Sequence, residues 1–305
     1  MKSAFLGAVL AFFLLQTSTK PETQHTAAAE TPPVSSTKIE LSSKLPSQGN
    51  LVRVTVKTAG PASEVEGEWG GHNVSFWQDE RDKSVFHAYL GVDIDQKSGG
   101  QKFEVKVTPA SSQPEVSEAM VTVRPGHYAI EKLTVAPKFV EPAPEDAERA
   151  RKEGERLRAI YAERTGEKLW SGAFRFPLEG PRRGGNFGKR RVLNGEARAP
   201  HSGLDVPAAT GTPVHAAAAG KIALADALYY SGNSIVIDHG LGLYTFYCHL
   251  SEIKVKEGDE VKEGDLIGLV GATGRVTGPH LHWGLIVNEA KVNPLQILPA
   301  ERKPN

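Results

Sequence analysis

Residues Gly258–Leu285 read GDEVKEGDLIGLVGATGRVTGPHLHWGL. The pentapeptide VKEGD ends inside this stretch twice, spanning Val255–Asp259 and Val261–Asp265. Each copy reads as a strand fragment closing on a Gly-Asp turn, a pairing suited to tight chain reversal. Tandem turns of this kind belong to compact barrel-like hybrid folds. Lipoyl-carrier domains use similar turns, but they need a lysine at a hairpin tip, and no such tip stands out. The stretch ends in His280-Leu281-His282 behind a Gly-Pro turn. In a strand the two imidazoles share one face and Leu281 takes the other.

The same texture extends outward from Trp170 to about Leu298. GKIALAD (Gly220–Asp226), NSIVIDHG (Asn233–Gly240) and LYTFYCHL (Leu243–Leu250) are short β-branched or aromatic runs broken by glycine. They predict an all-β domain. Upstream, Leu51–Lys57, Lys102–Thr108 and Ala119–Arg124 alternate apolar and polar residues, with His72–Gln78 and Val85–Asp93 between them and a hairpin-like break at Ser98–Gln101. This spacing predicts a small Ig-like β-sandwich over residues 38–136. Pro144-Glu145-Asp146 opens a charged helix that stops at Gly166. It reads as a connector within a linker of residues 137–169.

The chain has 305 residues and a formal net charge of +0. That length suggests about two domains. A balanced charge gives no global pull on nucleic acid or a membrane surface. Lys2 and the apolar run Phe5–Leu15 read as a signal peptide over residues 1–19, cleaved between 19 and 29, with an uncleaved inner-membrane anchor as the alternative. Residues 20–37 read as a flexible tether and 299–305 as a tail. Export to the periplasm or cell envelope follows. The one cysteine, Cys248, excludes an internal disulfide. Strand alternation sets Cys248 and His249 on opposite faces, making Cys248 a buried apolar residue rather than a nucleophile.

Six of the ten histidines fall in the last third of the chain. His201 and Asp205 lie in HSGLD, a turn entering a strand. Adding His249, His280 and His282 gives five donors, one or two more than a catalytic zinc uses, since such sites take three protein ligands. The surplus imidazoles can act on water or on a developing oxyanion. No HExxH is present, so a histidine would replace the glutamate base of helical zinc proteases.

In order, FGKRRVLNG (Phe187–Gly195), HSGLDVPAATGTPVHAAAAGKI (His201–Ile222), GNSIVIDHGLGLYTFYCHL (Gly232–Leu250) and the stretch quoted at the outset resemble the lysostaphin-type, LytM-like zinc metallopeptidases. The resemblance covers roughly Phe174 to Leu298. It implies a duplicated hybrid-motif fold over residues 170–298 and hydrolysis of peptide crosslinks in bacterial peptidoglycan. It implies one Zn²⁺ held by His201, Asp205 and His282, with His249 and His280 as the catalytic pair. Stem peptides would be the substrate, and the N-terminal module would meet a wall hydrolase or the wall itself. Some relatives have lost ligands and only activate other hydrolases. A non-enzymatic cell-wall regulator is therefore the alternative, which the intact ligand set opposes.

Several residues are expected to be bystanders. His72, His87 and His127 read as structural or surface residues, His215 as solvent-facing, and His239 as structural or as a ligand's partner. Trp283 reads as packing. Gly271, Gly274 and Gly278 are expected at positive φ. Thr273 and Thr277 receive no role. Arg182, Arg183, Lys189, Arg190, Arg191 and Arg198 form a solvated loop, or else attract stem-peptide carboxylates.

Overall fold

The computed structural model describes residues 37–110, 113–180 and 184–300. The signal-peptide and tether readings, Arg182, Arg183 and most of the tail lie outside the described residues. The fold is mainly β, with one α-helix among the described residues.

The N-terminal half carries two four-stranded antiparallel sheets. One orders Lys38–Leu41, Leu51–Lys57, Val85–Gly91 and Trp77–Gln78; the other orders His72–Ser75, Ala62–Trp69, Gly99–Pro109 and Glu115–Val123. Alternation drives Val52, Val54 and Val56 inward to meet Phe103, Val105, Val107, Val121 and Val123, all essentially inaccessible. The strand Gly99–Pro109 starts within the expected Ser98–Gln101 break.

The C-terminal half is a nine-stranded antiparallel sheet. Its middle strand, Leu243–Ile253, changes partner along its length. Residues 243–248 pair with 282–287 of the strand His280–Val287, and residues 250–253 pair with the strand Leu266–Val270. The sheet thereby folds over a core that includes Trp283, Tyr247, Ile235 and Leu281, each fully buried. The repeated turns are built alike. The Lys256 N–H donates to Asp259 (3.0 Å) and the Lys262 N–H to Asp265 (2.7 Å), with Gly258 and Gly264 at φ of 89° and 87°. Of the three glycines in the GATGRVTG turn only Gly274 has positive φ; Gly271 is needed because a Cβ would lie 2.3 Å from Ser251 N.

The helix spans Pro144–Ala162 and ends four residues before Gly166, where Glu163 turns to extended backbone. It is more than a connector. Leu157, Ile160 and Tyr161 pack on Leu224, Val236, Tyr244 and Ile286 across the outer face of the sheet. That stripe is narrow, which is why the helix reads as wholly charged.

Past the sandwich the chain runs alongside the C-terminal half. Ile130–Leu133 pairs in parallel with Arg190–Leu193, and Asn194 clasps both backbone groups of Val135 at 3.0 Å. Val287 and Ala290 press on Gly91, and Trp77, Tyr89 and Trp170 form an aromatic cluster across the join, with Trp77 tilted to Tyr89 and edge-on to Trp170.

Candidate metal and catalytic site

The strands Gly203–Pro207 and His280–Val287 run antiparallel, with Asp205 directly opposite His282 and Pro207 opposite His280. Leu204, Val206, Leu281 and Trp283 alternate into the core. The intervening positions therefore share the other face, which puts Asp205 beside His282. His201 sits just before its strand, held by backbone hydrogen bonds with Lys189 and Gly188.

Three donor atoms converge. His201 Nε2 lies 2.8 Å from His282 Nδ1 and 2.9 Å from Asp205 Oδ1, and His282 Nδ1 lies 3.0 Å from that oxygen. Donors of a tetrahedral ion bound at about 2.0–2.1 Å stand roughly 3.3 Å apart, so a small rearrangement admits a divalent metal. His201 and His282 are buried at 2% and 7% exposure. Two imidazoles and a carboxylate packed this closely away from water suit a cation. Burial alone would raise the Asp205 carboxyl, yet hydrogen bonds from His201 and His282 outweigh it and hold the group well below the usual carboxylate range. Asp205 Oδ2 accepts from Arg191 Nη2 at 3.0 Å, which fixes the carboxylate plane.

His249 and His280 complete the cluster, their ring centroids 4.9 Å apart. Both have the same wiring. The Nδ1–H of His249 donates to the Thr273 carbonyl (2.9 Å), and that of His280 to the Gly278 carbonyl (2.8 Å). Each ring is thereby held in the tautomer whose Nε2 carries a lone pair. His280 Nε2 lies 3.5 Å from Asp205 Oδ1. Burial, then the nearby His282, pushes His249 down to about 3, so it rests neutral.

Strand alternation does not bring His249 here. Tyr247 faces the core, and alternation would send His249 the same way. His249 instead adopts φ 64° at the corner where its strand changes partner, and this returns its ring to the site. Cys248 is buried as expected, although the alternation argument for it breaks at His249. Burial pushes its thiol well up, which removes thiolate character.

The other expectations divide. His239 is structural: fully buried, it bonds the Ala219 carbonyl (2.8 Å) and the Thr245 hydroxyl (2.7 Å) and touches no donor of the cluster. His215 is not solvent-facing but half-buried, with Nδ1 on the Gly264 carbonyl at 2.9 Å. His72 pairs with Glu289, His87 with Asp79, and His127 is exposed. Trp283 packs in the core. The Thr273 hydroxyl ties the turn to the Leu250 carbonyl. Lys189, Arg190, Arg191 and Arg198 are all ion-paired, to Glu131, Asp95, Asp205 and Glu196.

A cavity of about 160 Å³ adjoins the cluster, walled by Asp205, His249 and His280 on one side and by Glu131, Leu133 and Val135 on the other. Arg191 and Arg275 also line it. Sequence reasoning gave Arg191 no individual role and passed over Arg275. The only signal for Arg275 is a charged residue inside a glycine-rich turn. A roomier cavity of about 790 Å³ is lined by Glu64, Glu66 and Glu68 of the sandwich and by Arg164 and Leu241, and shares no lining residue with the smaller one.

Converging His, Asp and His donors beside two oriented imidazoles, on a folded-over antiparallel sheet, form a candidate metal centre. Residues 199–294 match Peptidase family M23, so the chain carries a domain of that family. It is 42% identical over 138 residues to the peptidoglycan DD-endopeptidase ShyA of Vibrio cholerae, covering 45% of this chain and 32% of that protein. It is 44% identical over 97 residues to the DD-carboxypeptidase/endopeptidase Mpg of Neisseria meningitidis, covering 32% of this chain and 22% of that one. These matches thus span a third or less of the relatives' own length. A Pseudomonas aeruginosa crystal structure described under peptidase M23 superposes with a TM-score of 0.59 at 28% identity, covering 83% of this chain and 94% of that one. That likeness reaches beyond the family domain into the N-terminal half.

Proposed function

We propose that this protein is a zinc-dependent endopeptidase that hydrolyses peptide crosslinks of bacterial peptidoglycan. His201, Asp205 and His282 are assigned as ligands, and His249 and His280 as the catalytic pair. The observation that carries the reading is the convergence of three donors beside two imidazoles with free Nε2 atoms. Two imidazoles and one carboxylate match zinc's preference and leave a position for substrate. When bound, zinc would polarise the scissile carbonyl and lower the pKa of water.

The chain's own groups do the rest. The Gly278 carbonyl holds the His280 proton on Nδ1, so Nε2 accepts a proton from the attacking water. His249 is wired identically and flanks the other side of the same space. Once protonated, either Nε2–H donates to the tetrahedral oxyanion or passes its proton to the departing nitrogen. Arg191 keeps Asp205 from rotating. Leu133 and Val135 offer an apolar wall that limits water.

The finer assignments belong to the same proposal. The Ig-like module would occupy residues 38–136, the linker 137–169 and the peptidase domain 170–298. The protein would act in the cell envelope, in keeping with relatives named for peptidoglycan, and the N-terminal module would meet the wall or another hydrolase. Among the described residues no helix is long and apolar enough to cross a membrane. The complete donor set and both imidazoles argue against a purely regulatory role.

The test is digestion of purified sacculi with and without a zinc chelator, with products identified by mass spectrometry. Chelator-sensitive conversion of crosslinked dimers to monomers is expected. The His280→Ala variant should keep its zinc and lose roughly 10²–10⁴-fold in rate. Zinc-loaded wild type that leaves every crosslink intact would refute the reading.

A further inference from the structure

Arg275 sits in the turn between the strands Leu266–Val270 and His280–Val287, and it lines the cavity that His249 and His280 share. It is half-buried and firmly placed. Its guanidinium lies over the Tyr230 ring, 4.5 Å from the centroid, and its backbone N–H donates to the Tyr230 carbonyl at 2.8 Å. One side-chain donor, Nη1, reaches the Phe139 carbonyl at 3.4 Å. Among the described residues no carboxylate comes within ion-pair distance of it.

Its neighbours are not in that position. Arg191 is paired with Asp205 and Glu131, and Arg198 with Glu196. The one carboxylate on the facing wall, Glu131, is itself engaged by Lys189 at 2.8 Å as well as by Arg191. Burial acts against the Arg275 charge, Tyr230 favours it, and Arg191 and Arg198 act with burial, so the group is held below its usual value. A guanidinium desolvated without a counter-charge is costly unless an anion arrives to meet it. Most of its N–H donors remain available for one.

Resting on the peptidase reading, we infer that Arg275 is a substrate-binding residue that takes a carboxylate of the peptide being cut, through paired N–H donors. The cavity is small, about 160 Å³, and His249, His280 and Asp205 line it together with Arg275, so a carboxylate taken up by Arg275 lies beside those groups. The carboxylate that fits is therefore close to the scissile bond, on the carbon adjoining the nitrogen released. A D-alanyl–diaminopimelate crosslink carries a carboxylate there, and an interior bond of an oligoglycine bridge does not. Arg275 thus selects direct crosslinks. A planar fork matches a carboxylate in two hydrogen bonds, which a lysine cannot reproduce.

The experiment uses the full chain and two crosslinked muropeptide dimers that differ at one position. The carboxyl beside the scissile nitrogen is free in one and a carboxamide in the other. Wild type should cleave the free acid with kcat/KM roughly 10–100-fold higher, mostly through KM. In Arg275→Gln that ratio should fall to near one, with Arg275→Lys between. Equal rates on both substrates by wild type would overturn this inference alone, even if the variants do not fold. So would an Arg275→Gln variant that keeps the preference. Failure of zinc-loaded wild type to cleave either substrate would overturn the peptidase reading, and this inference with it.

Discussion

Gly203 faces the ring of His282 across the sheet, and replacing it with alanine crowds that ring and the neighbouring backbone. The new Cβ would lie 2.5 Å from His282 Nε2, 2.7 Å from Cε1 and 2.7 Å from the Trp283 carbonyl oxygen. Ordinary contact begins at 3.4 Å. The paired strands must part slightly at the carbonyl and the ring must shift by about 0.9 Å, and Nδ1 moves with it. A coordination bond tolerates only about 0.2 Å. Gly203 has no positive φ, so the change adds no backbone strain. Overpacking should cost about 1–3 kcal/mol of stability. Zinc affinity should fall by roughly 10–100-fold or more. Titrating the apoprotein with zinc against a chromophoric chelator measures the affinity, and a thermal melt confirms folding. Gly284→Ala is the control. Gly284 is the residue paired with Gly203, and its Cβ would meet Phe246 at an ordinary 3.4 Å, so zinc affinity should hold. A folded Gly203→Ala variant with wild-type zinc affinity would refute both the steric argument and His282 Nδ1 as a ligand.

Two further outcomes follow from particular residues. His249 sits at φ 64°, so His249→Gly should be more stable than His249→Ala by about 1 kcal/mol, although both lose the imidazole. Thermal melts of the pair that coincide would contradict a left-handed corner there. His239 is fully buried and burial pushes it down to about 4 from 6.5, while its partner, the Ala219 carbonyl, pulls the other way. The unfolded chain therefore takes up a proton below pH 6.5 that the folded chain refuses until about pH 4. Its contribution is whole above pH 6.5 and is lost across that window, amounting to about 3 kcal/mol. Denaturant melts of wild type and His239→Gln at pH 7.5 and 4 should differ in pH dependence by that amount, and parallel profiles would show that His239 is not buried neutral.

The site was legible where chemistry and strand periodicity coincide. His280-Leu281-His282 announces two imidazoles on one face, and the opposed register of Asp205 and His282 is what two adjacent antiparallel strands produce. His249 counts as a donor by residue type, but its position is not legible, because period-two reasoning points it into the core and only the left-handed corner turns it back. The strand Ala62–Trp69 went unread because its inward positions hold only Val65, Gly67 and Trp69 among glutamates. The helix was taken for a connector because three side chains make its contact. Arg191 is placed by the parallel pairing of Ile130–Leu133 with Arg190–Leu193, and Arg275 by Tyr230 and Phe139, contacts between segments far apart in the chain. No local pattern encodes such a contact.

That pairing sets one wall of the cavity outside the family domain. Every group assigned to zinc and proton transfer lies within residues 199–294, whereas Glu131, Leu133 and Val135, which face them across the cavity, lie before that domain begins. An excised catalytic domain would keep its full complement of donors and work with a trough open along one side. Exchanging the upstream half between homologous chains would then replace that wall while Arg275 and the clustered donors stay where they are, so the cavity's shape can drift under mutations that never touch the family domain.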